Sequence, residues 1–326
     1  MRRRDVIVML GGTAVAWPLA TRAQPGANVP RVGFLYTGPQ QAAVVRLEPM
    51  LAGLRMAGYS APAPVEFVVR AAEGDLARIG PLMAEIIAQN VDAICASGPS
   101  VVQAARSATQ LIPILAIDLE TDPVASGLAA SIAHPGGNIT GVFFDFPDFT
   151  AKWLELLKET SANLSTVAVL WDPTTGPTQK MATEHAAGLL NIKLEVLEIR
   201  TVSDFDQAFV SATRRSAGAV LLLSSPLVAP NVQILAELAI SHRLPAITLF
   251  PDFARAGGLL AYGPNLLDMY RQLGVMIGKV LGGRRPAELP IERPAKFELV
   301  VNVKAAKALG ITIPPSLLAR ADELIE

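Results

Sequence analysis

Along the chain, short apolar runs rich in Val, Ile and Leu alternate with longer stretches whose apolar residues recur every three to four positions. The short runs predict strands buried on both faces, and the longer stretches predict amphipathic helices laid over them. The pattern is therefore that of βαβ units around parallel sheets. The runs are 31–38, 65–70, 92–100 and 112–118 in the first half, and 166–173, 194–200, 218–228 and 244–250 in the second. Helical spacing lies between them over 41–57, 75–89, 100–110, 178–190, 205–214 and 231–242. In the helix from Asp75, the side chains of Leu76, Ile79, Leu82, Met83, Ile86 and Ile87 share one side.

The two halves match each other in order. "RVGFLYTG" (31–38) parallels "TVAVLWDP" (166–173), each a strand ending on one aromatic, Tyr36 or Trp171. "VEFVVR" parallels "LEVLEIR". In "DAICASGPS" and "GAVLLLSSPLV", Ser97-Gly98-Pro99 is answered by Ser224-Ser225-Pro226. "IPILAID" parallels "LPAITLF", with Pro113 and Pro245 at the strand start, where a missing N–H is tolerated. The chain thus reads as an α/β fold of two Rossmann-like lobes with parallel sheets. The second begins near Phe146, and later strands at 257–263 and 296–303 flank a helix from Leu266 to Leu281. Residues 31–145 and 264–290 are assigned to lobe 1, and 146–263 and 291–326 to lobe 2. The chain then crosses between lobes more than once, which forms a multi-crossing hinge.

Ahead of the first strand, Arg2-Arg3-Arg4 precede an apolar segment, Val6 to Ala20, and then Thr21-Arg22-Ala23. This order predicts an export signal over 1–23, cleaved near Ala23; the apolar run is shorter than the roughly 20 residues of a membrane-spanning helix. Arg3-Arg4 leaves both the general and the twin-arginine export routes open.

Composition narrows the function. With 326 residues, 51% hydrophobic and 17% charged, the chain can bury a large core. A formal charge of −1 and no dense basic face exclude nucleic acid as a partner. Cys95 is the only cysteine, so no internal disulfide can form, and an exported, disulfide-free protein suits the periplasm. No Walker-type loop or G-x-S-x-G elbow is present, and His134, His185 and His242 lie far apart. No cofactor or metal is implied.

In open α/β sheets ligands bind beyond the carboxyl ends of the strands. The candidate ligand contacts are Tyr36, Thr37, Ser97, Gly98, Pro99, Ser100 and Asp118 from the first lobe, and Trp171, Asp172, Ser224, Ser225, Phe250 and Tyr262 from the second. Ser97–Ser100 opens a helix whose N–H groups suit a carboxylate, while Ser100 and Gln103 also fit a capping box that would only close the helix. Tyr36, Trp171 and Phe250 are either walls for a planar ligand or sheet-edge packing. Asp118 in "DLETD" can meet a ligand cation.

Beyond these patterns, "DPVASGLAASIAHPGGNITGV" (122–142), "ELLKE" (155–159), "VAVLWDP" (167–173), "GGLLAYGPN" (257–265) and the segment 296–326 resemble the ABC transporter substrate-binding protein family of tryptophan/tyrosine type. The resemblance implies a periplasmic-binding-protein-like fold of class I, three hinge crossings, and a monomeric, non-catalytic receptor. Such a receptor catches a small carboxylated or aromatic, amino-acid-like ligand by lobe closure and passes it to an ABC permease in the inner membrane. It also implies that "ASGPS" meets the ligand's carboxylate. Departures at Asp118–Thr121, Thr248–Asp252 and Gly141–Phe146 leave room for a different ligand. The alternative is an exported α/β enzyme using Asp118 or Asp172 as a base. A two-lobed transcription regulator is excluded, since the chain opens on an export signal instead of a DNA-binding helix pair.

Overall fold

The apolar runs become strands, and the strands assort into two separate sheets. The computed structural model describes residues 29–59, 65–144, 146–161 and 163–326; the export signal expected over 1–23 lies outside them. The first sheet is built from β1 (Arg31–Tyr36), β2 (Glu66–Ala71), β3 (Ala93–Ser97), β4 (Ile114–Asp118) and β5 (Ile139–Phe143). Its helices are α1 (Gln40–Val45), α2 (Leu47–Met56), α3 (Ile79–Ala88) and α4 (Pro99–Ala108). After α5 (Phe146–Thr160), the second sheet uses β6 (Thr166–Trp171), β7 (Lys193–Glu198), β8 (Ala219–Leu222), β9 (Ala246–Thr248) and β10 (Leu260–Pro264). Between these run α6 (Thr178–Leu189), α7 (Asp204–Arg214), α8 (Val232–Ser241) and α9 (Pro251–Arg255). The chain ends with α10 (Leu266–Leu281), β11 (Phe297–Asn302), α11 (Val303–Leu309), α12 (Pro315–Leu318) and β12 (Glu323–Ile325).

The repeat seen in the sequence is a repeat of topology. The first sheet runs β2-β1-β3-β4-β5, and the corresponding five strands of the second run β7-β6-β8-β9-β10, all parallel. Only the second sheet is extended, by antiparallel β11 and then β12. The paired prolines play matching parts: the Pro113 and Pro245 carbonyls accept from the Ile94 and Val220 N–H groups, one residue before β4 and β9.

Each lobe buries its sheet on both sides. In the first, Ile79, Met83, Ile86 and Val101 cover one face, while Met50, Leu54, Leu273 and Ile277 cover the other. The second face is closed by α10, which comes from after β10 and docks on α2 through glycines. A Cβ added at Gly274 would lie 2.1 Å from the Met50 carbonyl oxygen, and one at Gly53 would lie 2.0 Å from that of Arg271. Such approach is open only to glycine. The polypeptide thus passes between the neighbourhoods of the two sheets three times: β5 to α5, β10 to α10, and the stretch leading to β11. Leu119 and Leu266 pack against the cores of both.

Some elements differ from the pattern reading. The helix expected over 41–57 is broken at Arg46, because Pro49 lacks the N–H that would bond the Val45 carbonyl and its ring crowds that oxygen. The helix expected from Asp75 starts as a 3-10 turn, Leu76–Arg78, with Asp75 accepting from the Ala77 N–H; Pro81 near the start of α3 has the same effect. The stretch 138–146, just ahead of the point near Phe146 where the second lobe is expected to begin, contributes β5, a full member of the first sheet. Its Gly141 has φ of +150° and so little room that a Cβ would lie 2.0 Å from the Ala116 carbonyl oxygen. A strand of five residues with Thr and Gly at its centre carries little hydrophobic signal.

Candidate functional site

The carboxyl end of the first sheet places Tyr36, Ser97 and Asp118 on successive strands of one edge: Tyr36 is in register with Ser97, and Ser97 with Ile117 beside Asp118. Tyr36 is half-buried, and the Arg46 guanidinium carbon lies 4.4 Å from its ring centroid. Ser97 is buried and shares a 2.7 Å hydrogen bond with the Tyr270 hydroxyl of α10. Tyr270 is buried too, and burial pushes its phenol up to about 12.

Gly98, with φ of +92°, is the residue that caps α4, and Pro99 follows as its first member. Ser100 is therefore the second residue of the helix, and the expected capping box with Gln103 does not form: no side chain caps this end. The Ser100 N–H has no acceptor within the helix. Thr37 lies beside this turn, its Cγ2 at 3.6 Å from where a Cβ of Gly98 would stand. The matching turn in the second lobe is closed, because the Ser225 hydroxyl accepts from the Leu227 and Val228 N–H groups at 3.0 and 3.1 Å.

At the end of β4, Asp118 is fully buried. Its Oδ1 accepts from the Glu120 and Thr121 N–H groups, both at 2.9 Å, while Oδ2 has no partner among the described residues. Burial pushes its carboxyl above the usual carboxylate range, and the two N–H bonds work against that rise. Glu120 reaches across to the other lobe, where its carboxylate accepts from the Ser224 hydroxyl at 2.5 Å. Burial, helped by the negative charge of Asp118 and to a lesser extent Asp172, pushes Glu120 up to about 8, against the pull of the Ser224 bond. Ser224 is held in turn by Gln179, whose amide donates to its carbonyl at 2.8 Å and accepts from its N–H at 2.9 Å. Asp172 accepts from the Thr174 N–H and hydroxyl at 2.9 and 2.7 Å.

Asp118, Asp172 and Ser224 are thus gathered around Glu120. Trp171 stands at the end of β6, half-buried, its indole N–H donating to the Gly176 carbonyl at 3.1 Å and its ring 5.6 Å from the Lys180 ammonium. Phe250 and Tyr262 sit apart from this cluster. Phe250 is buried in the second lobe's core ahead of α9. Tyr262 joins a ring cluster at the crossings, 6.0 Å from Phe149 and 6.2 Å from Phe297, which stack on each other at 4.3 Å.

Sequence reasoning passed over Glu120, Gln179, Arg46 and Tyr270. Glu120 was one of three acids in "DLETD", and nothing in spacing tells which one points across a cleft. Arg46 carried a signal, as the lone cation within the apolar "AAVVRLEPM".

Among the described residues no group of three His, Cys, Asp or Glu side chains is placed to hold a metal ion, and no helix is long and apolar enough to cross a membrane.

Two like α/β lobes with their strand ends turned to one another, joined by three passages of chain, are the architecture of type I periplasmic binding proteins. The model for the ABC transporter substrate binding protein family matches residues 40–325, and the chain belongs to that family. A curated relative, the tyrosine-binding protein of Clostridioides difficile (strain R20291), is 25% identical over 260 residues, 78% of this chain and 73% of that protein. The structure of an ABC domain from Streptococcus pneumonia in complex with L-Trp superposes with a TM-score of 0.82 at 23% identity, covering 91% of this chain and 99% of that one. A ligand-free, open substrate binding protein from Clostridium difficile superposes at 0.70 and 24% identity over the same shares. The family is one of binding proteins, not enzymes, which sets aside Asp118 or Asp172 as a catalytic base. Both are in any case engaged by N–H groups of their own loops.

Proposed function

We propose that this protein is the extracytoplasmic receptor of an ABC importer. It is exported to the periplasm with its signal cleaved near Ala23, works as a monomer, and delivers its ligand to a permease in the inner membrane. The ligand is a small carboxylated or aromatic, amino-acid-like molecule held between the lobes. Lobe 1 (31–145 and 264–290) swings against lobe 2 (146–263 and 291–326), and closure is favoured by the contacts the ligand makes with both.

The observation that carries this reading is the hydrogen bond from Ser224 to Glu120, which ties the strand end of one lobe to that of the other in a buried setting. Further support comes from the higher TM-score with the L-Trp complex than with the open, ligand-free structure at nearly equal identity. The tyrosine-binding relative supports an amino-acid-like cargo. In this reading Tyr36 and Trp171 are the ligand's walls, the turn Ser97-Gly98-Pro99-Ser100 with Thr37 meets its carboxylate, and Asp118 offers its unpartnered oxygen to an ammonium group. Asp172, Ser224 and Ser225 line the facing edge, with Phe250 and Tyr262 behind.

A thermal-shift screen of L-amino acids and aromatic acids tests this. A ligand at 100 times its dissociation constant adds about 2.7 kcal/mol to the stability of the folded state, which is readily detected. A rise in Tm for some members of the panel is expected; a flat response across the whole panel contradicts the proposed cargo.

A further inference from the structure

Arg46 sits at the break between α1 and α2, a guanidinium without a carboxylate. No acidic oxygen lies within ion-pairing distance of it among the described residues, and its buried Nε has no acceptor. Its Nη1 donates to the Ala42 carbonyl, and the guanidinium also offers a hydrogen bond to the Tyr270 hydroxyl. Two aromatic faces hold it instead, that of Tyr36 at 4.4 Å and that of Tyr270 at 5.3 Å. Cation–π contact offsets part of the cost of partial burial, and the planar fork still has donors to spare. Arg55 in the following turns shows the contrast: it is exposed and paired with Glu48 at 2.9 Å.

The groups beside Arg46 are donors as well. Ser97 and Tyr270 carry two O–H groups and share a single 2.7 Å hydrogen bond, which leaves one O–H to give away. Both side chains are more than nine-tenths buried, and Ser97 adjoins the uncapped start of α4. A fixed cation, a spare hydroxyl and a helix N-terminus along one edge call for an anion with two oxygens, the match for a guanidinium fork.

We propose that Arg46 is the residue that makes this receptor selective for a carboxylate over its neutral isostere, with Tyr36 and Tyr270 holding the guanidinium in place. The inference rests on the reading of the protein as a receptor for amino-acid-like ligands, and adds the charge partner which the turn at Ser97–Ser100 lacks.

The test measures the affinities of L-tyrosine against L-tyrosinamide and of L-tryptophan against L-tryptophanamide by calorimetry, for the wild type, Arg46→Gln and Arg46→Lys. The acid-to-amide preference is expected to be 100-fold or more in the wild type, to fall at least tenfold in Arg46→Gln, and to be partly retained in Arg46→Lys. Circular dichroism checks that each variant is folded; if Arg46→Gln is not, Arg46→Lys against wild type decides by the same ratio. An unchanged ratio in a folded variant overturns the role of Arg46 and leaves the receptor function standing. A wild type that prefers the amides overturns it too. If the wild type binds neither acid nor amide, the aromatic amino-acid cargo itself fails, and the selectivity falls with it.

Discussion

The Ser224 hydroxyl of the second lobe donates to the Glu120 carboxylate of the first, and around that bond stand two more acids, Asp118 and Asp172. At this meeting of the two lobes a carboxyl group is held out of water beside negative charge. The group answers by keeping its proton up to about pH 8, well above its usual 4.5.

A raised acid in the folded state means that the native protein binds more protons than the unfolded chain between those two values. Stability then falls as pH rises through that window, by up to about 1.4 kcal/mol per pH unit for this group. The protein should melt at a higher temperature at pH 6 than at pH 8, and Glu120→Gln should flatten the slope and melt higher than wild type at pH 8. Scanning calorimetry across pH 5–9 measures both; a wild-type Tm that climbs from pH 6 to pH 8 contradicts the assignment.

The docking of α10 on α2 has no room for a side chain at Gly274 or Gly53. Gly274→Ala should cost about 1–3 kcal/mol through overpacking against the Met50 carbonyl, read as a lower urea midpoint. Gly188→Ala, in a helix where nothing lies within 4 Å of the added carbon, should be neutral or mildly stabilising. Equal effects at the two glycines would show that the helix contact is looser than described.

Trp171 stands half-buried at the end of β6, and the loop that follows is held by the Asp172 turn. Trp171→Ala should remove most of the thermal shift caused by an aromatic ligand and leave the ligand-free circular dichroism spectrum unchanged. A full shift in the variant would take Trp171 out of the site.

Much of the architecture was legible because it is written in periodicity. The matches of "RVGFLYTG" with "TVAVLWDP" and of "IPILAID" with "LPAITLF" reappear as identical strand orders, since a buried parallel strand can be built only from a continuous apolar run. What the pattern hid was set by single residues acting through backbone chemistry. Pro49 split a helix that looked continuous, and Gly98 took the cap that Ser100 was expected to supply. The site was legible only to the level of strand ends. Tyr36, Ser97 and Asp118 do share one edge, yet other polar groups beside that edge, Arg46, Glu120 and Tyr270, come from a helix break, a loop and a distant helix. Their meeting depends on tertiary contacts that no local spacing encodes.

The lobe-closing claim is tested most directly by a distance between the lobes. Cys95 is buried, and burial pushes its thiol up, so it does not compete for labels. Spin labels on Val44→Cys and Met181→Cys, exposed positions on the matching helices α1 and α6, report the gap by pulsed electron resonance. With saturating L-tyrosine or L-tryptophan, whichever the calorimetry shows to bind, the distribution should shorten and narrow. An unchanged distribution in the presence of a bound ligand would contradict capture by closure of the lobes.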